Sequence, residues 1–229
     1  MRPDVVLFDL DGTLTESAPG ITRSIAYALE TAGVPALDAA TLLRFVGPPL
    51  FDSFRDIAGL DDAGAAAAVS AYREYFIEHG MYDNSVYPGI SELLQALLDD
   101  GRRLAVATSK PTPQAVPIVE HFGLSKYFEV VLGPATDGLD TTKADVVADV
   151  LQTMGIPANP DVVLIGDRSH DVVGAHAVGI SSIGVTWGYG SREELTATGA
   201  DVIVSDVEEL AELLAVPFVF GSDVSALGW

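Results

Sequence analysis

Short apolar, β-rich runs recur at residues 5–8, 104–107, 128–132, 162–165, 182–185 and 202–204. From residue 89 onward helical patterns separate them, over 89–99, 112–122, 143–154, 170–178, 192–198 and 207–214. Strands alternating with helices predict an α/β fold in which a parallel sheet is covered on both faces. In such a sheet ligands bind beyond the carboxyl ends of the strands. The residues that follow each apolar run are therefore the first place to look for chemistry.

One connection is too long. The first run ends at Phe8 and the second begins near Leu104, whereas a right-handed crossover needs only a dozen or more residues. The intervening stretch reads as helices over 19–31, 39–45, 50–57 and 63–79, without convincing strands. We expect a core built from 1–15 and 84–229 and a helical insertion over 16–83, with hinges near 14–17 and 83–88. The insertion begins just after the first strand end, where it would hang over that end as a lid.

The first strand, Val5-Val6-Leu7-Phe8, runs into Asp9 and Asp11, then Gly12-Thr13. Side chains alternate along a strand, so both carboxylates would point the same way. Such crowding is tolerable with a divalent cation between the acids or a proton on one of them. A solvated Asp-Gly turn would give the same letters. The second strand ends in Thr108-Ser109-Lys110, a hydroxyl pair before a helix start, which suits either an N-cap or a phosphate donor. Lys143 opens a helix, where the macrodipole disfavours a cation, so an anionic partner is expected. The strand 162–165 ends in Gly166-Asp167, and Asp171 follows within one helical turn. Four carboxylates at one sheet edge call for a hard cation, and Mg²⁺ is the usual one with phosphate substrates. His170 and His176 read as structural, and Trp187 and Tyr189 as loop packing.

Composition narrows the partners. The 229 residues carry a formal charge of −21, which makes nucleic acid and anionic membrane surfaces poor partners. Cysteine is absent, excluding disulfides and thiolate metal sites. With no leader pattern and no apolar run of membrane-spanning length, a soluble cytoplasmic protein is the expectation. The only lysines are Lys110, Lys126 and Lys143, and two of them adjoin the strand-end motifs.

Taken in order, DLDGT, Thr108-Ser109, Lys143 and GDRSHD resemble the haloacid dehalogenase-like hydrolases over nearly the whole chain. FVGPPL, ATSKP, GDRSHD and GYGSREEL carry a closer similarity to the phosphoglycolate phosphatase-like branch and its 5′-nucleotidase-like relatives. The resemblance implies a Rossmann-like core with an alpha-helical cap. It implies Asp9 as nucleophile and Asp11 as acid and base. It also implies Mg²⁺ on the Asp9 carboxylate, the Asp11 carbonyl and Asp167, with Asp171 orienting a metal-bound water or Lys143. Gly12, Thr108, the Ser109 N–H and Lys143 would serve the phosphoryl group. Dehalogenases of the family lack the second acid, and phosphonatases use a cap lysine that 16–83 does not contain. A sugar phosphomutase shares the core motifs, and a receiver-like phospho-Asp signalling module is the alternative of a different class. The expected partner is a small phosphorylated metabolite, bound by a monomer or homodimer. Candidate substrate contacts are Gly47 in the rigid segment 45–50, the adjacent Arg44, Arg23 and Lys110. The apolar tail, residues 216–229, is expected to pack on the core or on a second subunit.

Overall fold

A computed structural model describes residues 1–135 and 141–217. In chain order the strands are β1 (Val5–Phe8), β2 (Thr15–Glu16), β3 (Ser85–Val86), β4 (Arg103–Ala107), β5 (Val130–Leu132), β6 (Val162–Gly166), β7 (Ser181–Val185) and β8 (Val202–Val204). The helices are α1 (Ala18–Thr31), α2 (Ala39–Leu43), α3 (Leu50–Asp56), α4 (Asp62–Tyr75), α5 (Ile90–Asp99), α6 (Thr112–His121), α7 (Lys143–Met154), α8 (Ser169–Val178), α9 (Arg192–Ala197) and α10 (Val207–Leu213).

Six strands form one sheet in the order β5-β4-β1-β6-β7-β8, every pair parallel. β1 is central because it is apolar on both faces. Val6 and Phe8 join Leu93, Leu97, Ile118 and Leu210 in one apolar cluster. Val5 and Leu7 join Val146, Val150, Leu151 and Ala175 in the other. Thus α5, α6 and α10 cover one face, and α7 and α8 the other. Each buried Val, Leu or Phe contributes about 1.5–3 kcal/mol, enough to hold strand ends that carry repelling acids. The chain moves outward from β1 to β4 and β5, then returns to β6 on the other side. The switch in direction leaves a crevice at the carboxyl end of β1.

Between β2 and β3 lie α1 to α4. Asp38 and Asp61 cap α2 and α4 by accepting from Thr41 N at 2.7 Å and Gly64 N at 2.8 Å. The Ile21, Ile25, Ala28 and Leu29 face of α1 packs with Ala65, Ala68, Val69 and Tyr72 of α4 in the same apolar cluster. A π-turn, Phe76–Gly80, ends α4. The expected helices are therefore present, but two short strands bracket them: β2 and β3 pair antiparallel, Thr15 against Val86 and Glu16 against Ser85. Two-residue strands are too short to show a period in sequence. The expected strand over 128–132 is shorter, because Ser125–Tyr127 forms a 3₁₀ turn that Phe128 closes. The tail beyond residue 217 and the segment 136–140 lie outside the described residues.

Arg102 ties the two ends of the described chain together. Buried at 4 % exposure, it donates to Pro3 O at 3.0 Å, Leu214 O at 2.8 Å and Asp100 Oδ2 at 2.9 Å. Truncation would leave two carbonyls without their donor. Arg102→Met should lower the unfolding free energy by about 2–4 kcal/mol, seen as a lower urea midpoint at an unchanged slope. A loss under about 0.5 kcal/mol would mean that the two ends hold without it.

Candidate active site

The acids gather where β1, β4 and β6 end. After β1 the chain wraps around one carbonyl: Leu10 O accepts from Leu14 N and Thr15 N, both at 3.0 Å. Gly12 sits inside this turn at φ +85°, and a Cβ there would stand 2.4 Å from Asp167 Oδ2. Only glycine satisfies both the backbone and the space. The turn thereby lies directly against the end of β6.

Lys143 is the first residue of α7, behind a Thr142 cap that accepts from Asp145 N. Its buried ammonium lies 2.7 Å from Asp9 Oδ1 and 2.7 Å from Asp171 Oδ1. The first contact is a hydrogen bond; the second is a close ion pair. Two carboxylates therefore outweigh both the unfavourable macrodipole and the loss of water. Gly174 allows this approach of α7 to α8, since a Cβ there would stand 2.8 Å from Lys143 Cβ. Burial works against the ammonium, yet Asp171 and Asp9 push its pKa above the ordinary lysine value. Burial raises Asp9 above the usual carboxylate range against the pull of Lys143. Burial also acts to raise Asp171, but Lys143 and His170 outweigh it and hold that carboxyl low.

Asp167 is fully buried and has no salt-bridge partner among the described residues. Its Oδ2 accepts from Tyr189 N at 2.7 Å, and Thr13 Oγ1 lies 3.5 Å from Oδ1. Burial, then Asp171 and Asp9, push its pKa up to about 8. A group in this position gains most from a hard cation. Asp9, His170 and Asp171 also converge, each offering a ligand atom within 4.8 Å of the others. The ammonium of Lys143 already serves the two acids of that trio, so the uncompensated charge is that of Asp167. The carboxylate oxygens at this strand end suit a hard divalent cation.

Asp11 is held differently. Its Oδ2 pairs with Lys110 Nζ at 3.0 Å, while its buried Oδ1 has no hydrogen-bond partner among the described residues. Lys110 lies 4.5 Å above the Phe76 ring of the π-turn, a cation–π contact from core to insertion. Buried Thr108 accepts from Lys110 N at 3.2 Å through Oγ1.

A cleft of about 860 Å³ opens between sheet and insertion. Asp9, Asp11, Thr108, Ser109, Lys110 and Lys143 line its floor, and Phe45, Gly47, Leu50, Phe51 and Tyr72 its opposite wall. Gly12, Asp167 and Asp171 stand behind the floor. Two sequence candidates fall elsewhere. Arg44 is exposed at the end of α2 and does not line the cleft, because Phe45 and Val46 turn inward after it. Arg23 pairs with Asp83 at 2.6 Å, 58 % exposed, and is not in the lining. Residues read as structural or not singled out also reach the cleft, among them His170, Tyr189, Arg168 and Gln114. The signal for Tyr189 was its place in a strand-end loop. His170 directly precedes Asp171. Nothing in the letters marked Gln114.

Known proteins agree with this architecture. A family model described as haloacid dehalogenase-like hydrolase matches residues 6–185. A 5′-nucleotidase of Pseudomonas aeruginosa is 43% identical over 214 residues, 93% of this chain and 96% of the relative. Tyrosine-protein kinase PtkA of Mycobacterium tuberculosis is 43% identical over 216 residues, 93% of this chain and 73% of the relative. A phosphoglycolate phosphatase of Cupriavidus necator is 35% identical over 215 residues, covering 91% and 92%. The crystal structure of a predicted phosphatase from Clostridium acetobutylicum superposes with a TM-score of 0.87 at 45% identity, covering 94% of this chain and 99% of that one. With its parallel sheet, its acidic strand ends and these matches, the chain belongs to the haloacid dehalogenase-like hydrolases.

Proposed function

We propose that this chain is a Mg²⁺-dependent phosphatase acting on a small phosphomonoester through an aspartyl-phosphate intermediate. The observation that carries the reading is the buried Asp9 carboxylate at the floor of the cleft, with Lys143 2.7 Å away on one oxygen. The phosphatase assignment follows the family and its phosphatase-named members. The names of the relatives suggest a nucleoside monophosphate or phosphoglycolate as substrate. Residues 16–83 serve as the cap and the remainder as the core.

In this reading Asp9 attacks phosphorus. The ester P–O bond breaks, and Asp11 delivers a proton to the departing oxygen. Its Oδ1, without a partner among the described residues, is suited to that transfer, while Lys110 keeps the other oxygen in place. Asp11 then takes a proton from water as the water attacks the Asp9 phosphoryl group. Inorganic phosphate leaves and both carboxylates return to their starting states. Thr108, the Ser109 N–H and Lys143 hold the phosphoryl oxygens. Asp171 keeps Lys143 aimed at Asp9. Mg²⁺, held by the Asp9 carboxylate, the Asp11 carbonyl and Asp167, would neutralise phosphoryl charge so that an anionic nucleophile can approach.

Two experiments test the reading. Asp9→Asn keeps the shape and removes the nucleophile, so p-nitrophenyl phosphate hydrolysis should fall by about three orders of magnitude or more. Activity within tenfold of wild type would exclude Asp9 as nucleophile. Wild type should release many equivalents of phosphate per chain; a single equivalent would mark a phospho-accepting switch instead. The second experiment separates the acids. Asp11→Asn keeps its carbonyl, so calorimetric Mg²⁺ affinity should stay within about threefold of wild type, whereas Asp167→Asn should lose about tenfold or more. Equal losses would refute the division.

A further inference from the structure

We propose that Arg168 is a positioning residue: a strut from the core that sets the cap segment 45–51 above Asp9. Arg168 precedes α8, between Asp167 and the start of the helix. Its own N–H donates to Asp171 Oδ2 at 3.1 Å, which places its backbone in the acid cluster. Its side chain leaves in the other direction. Nε donates to Glu194 Oε1 at 3.0 Å, and Nη1 donates to Val46 O at 2.8 Å. Glu194 is itself fixed, because the same oxygen accepts from Ser169 N at 2.8 Å. The guanidinium is thus anchored on the core by one edge and presents another to the cap. Its rigid planar fork does this better than a lysine's single ammonium.

The receiving segment is shaped for it. Gly47 has φ +104°, and a Cβ built there would stand 2.2 Å from Arg168 Nη1. The glycine therefore answers two demands, a left-handed backbone and room for the guanidinium. Val46 and Phe45 are buried, and Phe45 packs edge-on against Phe54 at 5.4 Å between ring centres. Holding the Val46 carbonyl therefore holds the start of α3. Leu50 and Phe51, which face the cleft from that start, move with it. One residue thereby joins the acid cluster through its backbone and the cleft wall through its side chain.

The inference rests on reading 16–83 as a cap, and its test does not require turnover. Hydrogen–deuterium exchange of the free protein should show residues 45–51 exchanging at least tenfold faster in Arg168→Gln, with strand 162–166 unchanged. Glu194→Ala should act in the same direction, and Arg168→Lys should recover part of the protection. Gly47→Ala should also speed exchange at 45–51, because it both strains the left-handed backbone and crowds the guanidinium. On p-nitrophenyl phosphate, Arg168→Gln should raise KM at least fivefold while kcat stays within twofold. Exchange at 45–51 within twofold of wild type in Arg168→Gln would overturn the strut. Were Arg168→Gln not to fold, Glu194→Ala carries the same test, and unchanged exchange at 45–51 there would overturn the strut equally. Absence of p-nitrophenyl phosphate turnover by wild type, with the exchange differences intact, would instead fault the phosphatase reading and leave the strut standing.

Discussion

The buried ammonium of Lys143 stands between Asp9 and Asp171, 2.7 Å from each. These three side chains come from the end of β1, α7 and α8, so their convergence depends on the whole sheet being in register. Taking one ammonium and two carboxylates out of water is expensive unless each charge has a partner. The apolar faces around β1 supply the free energy that makes this affordable. Removing Lys143 alone would leave two buried acids facing each other.

The same electrostatics divides the acids. Asp171 is held low by Lys143, whereas Asp167 has no salt-bridge partner among the described residues and is pushed up to about 8 by burial and its acidic neighbours. Asp11 sits nearer solvent with one oxygen on Lys110 and the other without a partner among the described residues. Four carboxylates meet two lysines, so the cluster is short of positive charge in the region of Asp167. A phosphate ester entering the cleft would deepen that shortage. A divalent cation at this strand end answers it, which is the physical basis for the proposed Mg²⁺.

Much of this was legible in sequence because it follows from local patterns. Apolar runs ending in Asp9 and Gly166-Asp167 announced both the sheet and the edge where the acids gather. Lys143 was conspicuous because the macrodipole disfavours a cation at a helix start, which made an anionic partner a natural expectation. The less legible parts arise from contacts between distant segments. Nothing in the neighbourhood of Lys110 foretold its pairing with Asp11 and its place over Phe76. Arg44 looked available for a leaving group, but the end of α2 leaves it exposed, away from the cleft lining. Arg168 shows the reverse: an ordinary arginine beside an acid reaches the carbonyl of Val46, a contact no periodicity encodes. β2 and β3 escaped because two residues cannot display a strand's alternation.

The central claim is that Asp9 carries the phosphoryl group between ester and water. The most direct measurement mixes wild-type protein with Mg²⁺ and a phosphomonoester, quenches it in acid within milliseconds, and maps the modified peptide by mass spectrometry. The account predicts a transient phosphoryl group on Asp9, formed no more slowly than steady-state turnover. Phosphate release without any covalent intermediate, or a phosphoryl group on another residue, would contradict it.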